Sequence, residues 1–540
     1  MSKNHKTGDD IKQAELVKFV QKSGVTRREF LRHAVAAGVT TTAAASLWSA
    51  NSMAAPKKGG HLRVGSEGGS NSDVIDPRRA IGTNQLTCPI MSMFDTLTHL
   101  DENGAPVPSL CESWEASADA KTWRFKLRKD IEFHNGKTLE PADVIASYAY
   151  ADDDANAHGD SRSIMANLAD KKVDGDYVVL SLKSPNADLP ILLTAYGLLI
   201  APAGTTTEDW EKGVGTGPYM LEDFDPGVRF AVQRNPNHYR DDEGHFDSAE
   251  FVNIQDQASR TNALRSGEMD IINRPDPKTT NLLGKVPGIR LLESAGNQHY
   301  TMPMRVNEEP FANLDVRQAV KWGVDREAIL EKILRGYGYL GNDHPIGRDQ
   351  QYFNGELPQR VMDPDKATFH LKKAGLTSLT LELFAADTAW IGSVDAAQLV
   401  QESAKQSAIN IKVTRAAEDG YWADTWNVKP WCLSYWGGRA SEDWMFTAAY
   451  SAESSWNETA MQHDRFNELL LAARGELDTN KRRERYYEMQ EILYDRGGAV
   501  VPVFSSYVLA MSDKLGHASK ISSSFDLDAF RVARNFWFES

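Results

Sequence analysis

The sequence predicts an α/β protein. After residue 56, segments with strand-like and helix-like patterns alternate along the chain, as they do in α/β domains. The chain contains no internal repeat and no low-complexity tract. Its 540 residues, 41% hydrophobic and 25% charged, have the composition of a globular protein with room for two or three domains.

The early elements follow from local patterns. Residues 60–65 read as an opening strand, and residues 123–127 alternate apolar and polar side chains as a half-buried strand does. Residues 141–150 predict a helix because Pro141 begins it and Asp143 lies in its first turn.

The later elements are longer. Apolar residues recur at helical spacing over residues 315–334 and 482–494, which predicts two amphipathic helices. Residues 502–506 read as a strand that returns to the first domain. Residues 223–227 and 274–278 are rich in turn formers and separate elements without forming linkers.

Charge and cysteine content exclude several classes of protein. A net charge of −15 leaves no basic stripe for the phosphates of nucleic acid. Three scattered cysteines are too few for a disulfide framework or a thiolate metal site. A single disulfide bond between Cys88 and Cys111 remains an alternative. No histidine pair has metal-binding spacing, and His134, beside an Asn-Gly turn, is interpreted as a turn residue.

Motifs for catalysis are absent from the sequence. It has no nucleophile elbow, no phosphate-binding glycine loop and no dinucleotide fingerprint in the right context. We therefore predict no catalytic residues, no metal and no cofactor. Two enzyme alternatives remain. One is a secreted hydrolase that uses a pair of carboxylates, because sequence cannot place two such groups at working separation, and the other is an exported redox enzyme.

Residues 1–54 predict a cleaved export signal. Residues 26–32 read T-R-R-E-F-L-R, a mild apolar stretch follows from Ala34 to Trp48, and small residues at 52–54 close the segment. The paired Arg27 and Arg28 ahead of Phe-Leu are typical of twin-arginine signals. The stretch is too short for a stable membrane span, so the mature protein is expected in the periplasm.

A series of short motifs points to one family. They occur in order along most of the mature chain: W-R-F-K-L-R at 123–128, F-H-N-G-K at 133–137, P-A-D-V at 141–144, G-T-G-P-Y at 215–219, N-P-N-H-Y at 235–239, R…A-L…G-E-M-D within 260–270 and N…P-F…D-V-R-Q-A…V-D-R within 307–326. In aggregate the chain resembles the family 5 extracellular solute-binding proteins, which serve ABC importers for dipeptides, oligopeptides, nickel and opines.

The resemblance implies a two-lobed periplasmic binding protein fold with a hinge and an extra subdomain in the larger lobe. Lobe I would comprise residues 56–298 and 504–540, and lobe II residues 299–503. The expected partners are a small polar ligand (an opine, an amino-acid derivative or a peptide) and the permease subunits of an ABC importer in the inner membrane. An oligosaccharide or a metal chelate is the alternative ligand within this family.

Residues 420–446 form the expected ligand-facing stretch because they hold five tryptophans, among them Trp426 and Trp436. In oligopeptide-binding relatives the loop after this strand supplies an aspartate for the peptide ammonium. This chain has Arg439 there, which favours a carboxylate instead. Two other interpretations of this loop stay open. Asp443 could bind an ammonium group of the ligand, or Arg439 could be a surface residue paired with Glu442 or Asp443.

Three further residues are candidates for the remaining walls of the cleft. Glu67 follows the first strand, Trp390 lies within residues 386–392, and Tyr300 lies in a predicted strand. With Arg439, Trp436, Asp443 and Trp426 they complete the predicted binding site. The sequence therefore predicts an α/β binding protein for a small ligand, with its most informative residue at position 439.

Overall fold

Two β-sheets, connected by two short stretches of chain, organise the molecule. The computed structural model describes residues 56–77, 79, 83–152, 159–390, 392–518 and 520–539. The predicted export signal, residues 1–54, lies outside the described residues. No helix within the described ranges is both long and apolar enough to cross a membrane.

The large sheet has seven strands. From one edge to the other they are Ile289–Ser294, Tyr507–Ser512, Ile271–Asn273, His61–Ser66, Ser248–Asn253, Arg229–Arg234 and Tyr219–Asp225. The central strand His61–Ser66 runs parallel to both of its neighbours. Its carboxyl end therefore meets that of Ile271–Asn273 at the same edge, the place where open α/β sheets bind ligands.

The second sheet is built from the middle and late parts of the chain. Its strands are Gly338–Leu340, Val503–Ser505, His299–Pro303 and Ser434–Trp436 in that order, with Ala499–Val500 also paired to His299–Pro303. Beside it lies a parallel pair of strands, Leu379–Ala385 and Ile409–Arg415. The strand Ser434–Trp436 stands at the edge of this sheet, so the loop that follows it is free to reach outwards.

A separate four-stranded sheet forms a subdomain with a core of its own. Its order is Cys111–Ala116, Thr122–Leu127, Tyr177–Leu182 and Leu168–Asp174. The helix Pro141–Asp152 covers it and buries Tyr148 against Phe125 and Leu180. Two-stranded pairings complete the sheets: Thr98–Leu100 with Pro106–Pro108, and Leu515–Gly516 with Trp537–Phe538.

The remaining elements are helices and short turns. They are Asn84–Met93, Gly159–Ala166, Leu189–Leu192, Tyr196–Leu198, Thr207–Trp210, Gln257–Ser266, Pro277–Leu283, Leu314–Gly323, Arg326–Lys332, Pro364–Lys373, Ser393–Lys405, Tyr421–Asp424, Glu442–Tyr450, Asp464–Arg474, Thr479–Arg496, Asp526–Ala529 and Val532–Asn535.

Four of the elements predicted from local sequence patterns are present in the structure. The strands predicted at 60–65 and 123–127 are His61–Ser66 and Thr122–Leu127. The helix predicted at 141–150 extends to Asp152, and the one at 482–494 extends at both ends. Proline at the helix start and period-two alternation are therefore reliable guides in this chain.

The predicted helix over 315–334 is wrong, because the chain forms two helices there. The first ends at Gly323, Val324 is extended, and Asp325 caps the second helix by accepting the amide hydrogen of Ala328 at 2.9 Å. A capping aspartate offers the backbone a better start than helix continuation would. The apolar periodicity carries on through the break, which is why pattern reading missed it.

The predicted return strand at 502–506 is also corrected. Val503–Ser505 pairs within the second sheet, and the chain enters the large sheet only with Tyr507–Ser512. Ser506 alone joins the two strands. The opposite crossing runs through residues 295–298, between Ile289–Ser294 and His299–Pro303.

The cysteines and His134 have structural positions. All three thiols are free and buried, with Cys88 in the core of the large sheet and Cys111 in that of the subdomain. His134 Nε2 donates to the Gly217 carbonyl at 3.0 Å, and its Nδ1 accepts from the Gly215 amide at 3.2 Å. Burial lowers the pKa of His134, so the neutral ring fastens the G-T-G-P-Y turn as predicted.

Candidate ligand-binding site

A cleft between the two sheets collects charged side chains from one and aromatic side chains from the other. Glu67 and Arg274 follow the adjacent parallel strands of the large sheet, so both lie at its carboxyl edge. From the second sheet, Tyr300 and Tyr435 are register partners on neighbouring strands and share one face. Burial raises the pKa of Tyr300, and the positive charge of Arg274 acts in the opposite direction.

The charged side of the cleft is a compact ion cluster. Arg274 Nε donates to Asp526 Oδ2 at 2.9 Å, and the Glu67 carboxylate lies 3.4 Å from the guanidinium groups of Arg274 and Arg260. Asn273 Nδ2 also donates to Asp526, at 2.9 Å. The Arg274 side chain stays 50% exposed, so this guanidinium is both anchored by carboxylates and available to a solute.

The aromatic side begins with a stacked pair. The rings of Tyr300 and Trp390 are 4.1 Å apart and inclined by only 5°. Both are buried in the core of the second sheet, whereas the neighbouring Tyr435 is 41% exposed. Trp390 therefore supports Tyr300 from behind, and Tyr435 carries the accessible ring surface.

The loop after the edge strand brings Arg439 towards the large sheet. Gly438 packs so closely that a Cβ there would lie 3.0 Å from both Asn297 Cβ and the Ser524 carbonyl oxygen. A larger residue would push the loop away from these neighbours. Glycine at 438 therefore lets the loop close against the C-terminal segment of the chain.

Arg439 lines a cavity of about 190 Å³ whose walls come from both predicted lobes. Its Nη1 donates to the carbonyls of Gly437 and Gly438 at 3.2 Å, and its guanidinium carbon lies 5.5 Å from the ring centre of Trp444. No carboxylate of the described residues forms an ion pair with it. The other walls are largely apolar and aromatic: Met91, Leu100, Tyr196, Trp444, Phe525 and Phe530.

Asp443 is turned away from this cavity. It accepts two hydrogen bonds from Nε of Arg474, the last residue of the helix Asp464–Arg474, at 3.1 and 3.2 Å, in a buried site that does not line the cavity. The sequence hypothesis that Asp443 holds Arg439 is therefore wrong, and Arg439 is not tied to Glu442 either. Its pairing with Arg474 also leaves Asp443 poorly placed to accept a ligand ammonium.

Trp426 and Trp436 support the site from behind. Trp436 is buried between Trp426 and Trp456, with ring centres 6.4 and 6.1 Å away, and Arg439 lies 6.0 Å from its ring. Trp426 Nε1 donates to the buried Glu458 carboxylate at 2.7 Å. The two predicted stacking residues thus form the base under the loop, while Trp444 forms its accessible wall.

The structure adds residues that sequence reasoning missed. Arg274 ends a strand beside Glu67, a position that could have been recognised. Asp526 gave no signal, because it comes from the C-terminal segment and meets Arg274 across 252 residues. Burial raises the pKa of Tyr507, while the guanidinium groups of Arg274 and Arg439 both act in the opposite direction.

The backbone is strained at residues 527–530, of which Ala529 and Phe530 line the cavity. Leu527, Asp528, Ala529 and Phe530 all have φ between 51° and 64°, in the left-handed region. Residues other than glycine lose about 1–2 kcal/mol each in this conformation. Asp528 holds the segment by accepting hydrogen bonds from the Ser522 amide and from Asn535, each at 2.7 Å. Strain maintained in this way is common where a wall must be held against a ligand.

Comparisons with known proteins find similarity along most of the chain. The model of the family described as bacterial extracellular solute-binding proteins, family 5 Middle, matches residues 105–458. Di/tripeptide-binding protein 1 of Pseudomonas aeruginosa (strain UCBPP-PA14) is 24% identical over 84% of this chain and 91% of its own length.

Two solved structures show the same fold. The periplasmic binding protein AgaA from Agrobacterium tumefaciens R10, in complex with agropinic acid, has a TM-score of 0.71 at 22% identity and covers 89% of this chain and 99% of its own. DppA from Helicobacter pylori, in complex with the peptide STSA, has a TM-score of 0.71 at 20% identity, with 90% and 99% covered.

Proposed function

Because the chain belongs to the bacterial extracellular solute-binding proteins of family 5, we propose that it captures a small polar solute for an ABC importer. Its mixed α/β architecture is the two-lobed fold of periplasmic binding proteins, as the sequence predicted. Members of this family bind solutes and are not enzymes, and the site described above contains a cation and aromatic walls but no arranged nucleophile and base.

The proposed lobes are those that the sequence suggested, except at one boundary. Lobe I takes residues 56–298 and the C-terminal segment, and lobe II takes the span between. The sequence placed the second boundary at 504, but the strand Val503–Ser505 pairs within the second sheet, so we propose Ser506 as that boundary. All seven strands of the large sheet come from the first set, which supports the division. The two crossings, 295–298 and Ser506, would act as the hinge, and a solute held by both lobes would favour the form in which they meet.

The proposal for the ligand rests on Arg439. It is a partly buried guanidinium without a carboxylate partner among the described residues, in a cavity with aromatic walls. A buried cation of this kind is stabilised by an anion that binds it through two hydrogen bonds. We therefore infer a solute with a carboxylate: an amino-acid derivative, an opine-like compound or a short peptide.

Export completes the proposed function. The twin-arginine segment within residues 1–54 would deliver the protein to the periplasm, where the permease subunits of the importer receive the solute. An oligosaccharide or a metal chelate remains the second ligand class. The charge of Arg439 favours the carboxylate over a neutral sugar.

The test is calorimetry with the solute released from the native purified protein. Arg439→Ala should weaken its binding about 30- to 1000-fold, which corresponds to roughly 2–4 kcal/mol, with little change in the melting temperature of the unliganded protein. Arg439→Lys should recover part of the loss, because a point charge lacks the planar fork. The exposed Arg483→Ala is the matched control. Affinity within threefold of the native protein for Arg439→Ala would remove the case for a carboxylate.

Mass spectrometry of the same solute after incubation separates binding from hydrolysis. An unchanged mass is expected, because the site binds without turnover. A new product that requires the protein would instead support the secreted hydrolase.

A further inference from the structure

The cavity that contains Arg439 has a second polar group, His99. This residue lies in the strand Thr98–Leu100, which pairs with Pro106–Pro108, and it lines the same cavity as residues 438–440. Its Nδ1 is buried and makes no hydrogen bond to any described residue. The His99 side chain as a whole is partly exposed and lines the cavity, so the accessible edge of its ring can offer a hydrogen bond to a polar group of the occupant.

His99 is a neutral group. Burial lowers its pKa to about 2, and the nearby Arg531 and Arg240 lower it as well, while Glu243 acts in the opposite direction. Protonation would place a further cation among these guanidinium groups. The imidazole therefore provides a hydrogen bond without a charge over the whole physiological pH range.

Arg531, the other cation on the cavity wall, already has its counter-charge. Its Nη2 donates to Glu243 Oε2 at 2.9 Å. Glu243 also accepts from His238 at 2.9 Å, and the adjacent Arg534 pairs with Asp95 at 2.7 Å. This network is balanced internally, which leaves Arg439 as the cation that the cavity offers to a ligand.

Acidic side chains are missing from the cavity wall. Among the described residues that line it there is no aspartate and no glutamate. A ligand ammonium enclosed here would lose its water, find no carboxylate and face the guanidinium of Arg439. Burying a charge without a partner costs several kcal/mol, far more than one lost neutral hydrogen bond.

We infer that the solute in this cavity is a monoanion without a free ammonium group, with its carboxylate on Arg439 and a neutral hydrogen-bonding group, such as an amide or hydroxyl, on His99. The inference rests on the proposed function and makes it narrower. It assigns His99 as a specificity-determining residue. The expected class is N-acylated or otherwise amine-blocked amino-acid derivatives, in place of free amino acids and peptides.

The cavity volume sets a scale for the enclosed part of the solute. About 190 Å³ corresponds to the liquid volume of roughly six water molecules. That is enough for a carboxylate, its neighbouring amide and a small apolar group. The rings of Tyr196 and Phe530 offer flat surfaces to the apolar part.

Matched probes test the inference directly. L-leucine, L-phenylalanine, alanyl-leucine and alanyl-phenylalanine are each assayed as the free amine and as the N-acetyl compound, by calorimetry and thermal shift at pH 7 with the mature protein. The N-acetyl member of a pair should bind at least about 30-fold more tightly than the free amine. Equal or tighter binding of the free amines overturns the inference, and so does an absence of binding across the whole panel.

Further arms separate this inference from the proposed function. Methyl esters of the N-acetyl compounds lack the carboxylate, so unchanged binding of the esters would contradict the role of Arg439 while leaving the amine preference measurable. His99→Leu should weaken the N-acetyl compounds about tenfold, and His99→Asn should recover part of that loss because its amide can replace the ring nitrogen. Equal affinities of the native protein and both variants would exclude His99 from the site.

Discussion

A buried carboxyl group near the junction of the predicted lobes predicts how the stability of the protein depends on pH. Glu442 is only 4% exposed, and its Oε1 accepts the amide hydrogen of Tyr352 at 2.8 Å. Burial raises the pKa of Glu442 to about 7; the Asp188 carboxylate raises it too, and Arg482 lowers it. Arg482 itself donates to Asp188 at 2.5 Å, across the boundary between the predicted lobes.

The raised pKa of Glu442 determines whether the protein gains or loses stability as pH rises. The folded protein keeps a proton on Glu442 up to about pH 7, whereas the unfolded chain releases it near the ordinary value of 4.5. The folded state therefore binds more protons within this window, and the free energy of unfolding falls as pH rises from 4.5 to 7. At about 1.4 kcal/mol per pH unit, the total loss is on the order of 3 kcal/mol.

Glu442→Gln removes this titration and keeps the oxygen that accepts from Tyr352. We expect the variant to be roughly as stable as the native protein at pH 5 and more stable by up to about 3 kcal/mol at pH 8. Burial raises the pKa of Asp443 to about 6. Asp443 titrates in both proteins, so its contribution cancels when the stabilities of the native protein and the variant are subtracted.

Urea unfolding of the unliganded protein at pH 5 and pH 8 measures both differences. Exposed Glu453→Gln is the control and should change neither value by more than about 0.5 kcal/mol. If Glu442→Gln shifts stability by the same amount at both pH values, the carboxyl group does not titrate in this range and the reasoning fails.

The remaining predictions concern export, motion and the core of the second lobe. Arg27→Lys combined with Arg28→Lys should leave precursor in the cytoplasm by cell fractionation; normal periplasmic accumulation would leave a general secretory signal in its place. Saturation with the solute released from native protein should reduce the radius of gyration in small-angle scattering and raise the melting temperature, and tight binding that changes neither would contradict the hinged lobes. Asp343→Asn should destabilise the protein by about 3–5 kcal/mol in urea unfolding, because two buried arginines share that carboxylate at 2.7 and 2.8 Å. A loss of less than 1 kcal/mol, equal to that of exposed Asp365→Asn, would show that the arginines find other partners.

Local signals were read correctly where neighbours within a few residues decide the outcome. Pro141 and Asp143 predicted a helix start, and alternation predicted the strand Thr122–Leu127. The exception at 315–334 is instructive, because Asp325 is itself a local capping signal that the apolar periodicity concealed. Both patterns were present in the sequence, and the cap took precedence.

The residues of the candidate binding site also differ in how far local sequence could predict them. Arg439 was predicted because it stands three residues after Trp436, the position at which the family resemblance implies an aspartate in oligopeptide-binding relatives, and the structure places it on a cavity wall. The partner of Asp443 was not identifiable, because Arg474 comes from a different helix and reaches it only in the folded protein. Residue type indicated that Asp443 needs a cation, but not which one.

The sequence by itself determined the fold class and the family, because these depend on short patterns and on their order along the chain. The reversal of charge at position 439 stays a prediction from the same patterns. Only the tertiary structure decided which groups share the cleft. Arg274 meets Asp526 across 252 residues, and His99 and Arg439 reach one cavity from different sheets. The physical reason is that periodicity, caps and turns act over a few residues, whereas the convergence of distant side chains depends on how whole sheets and helices pack.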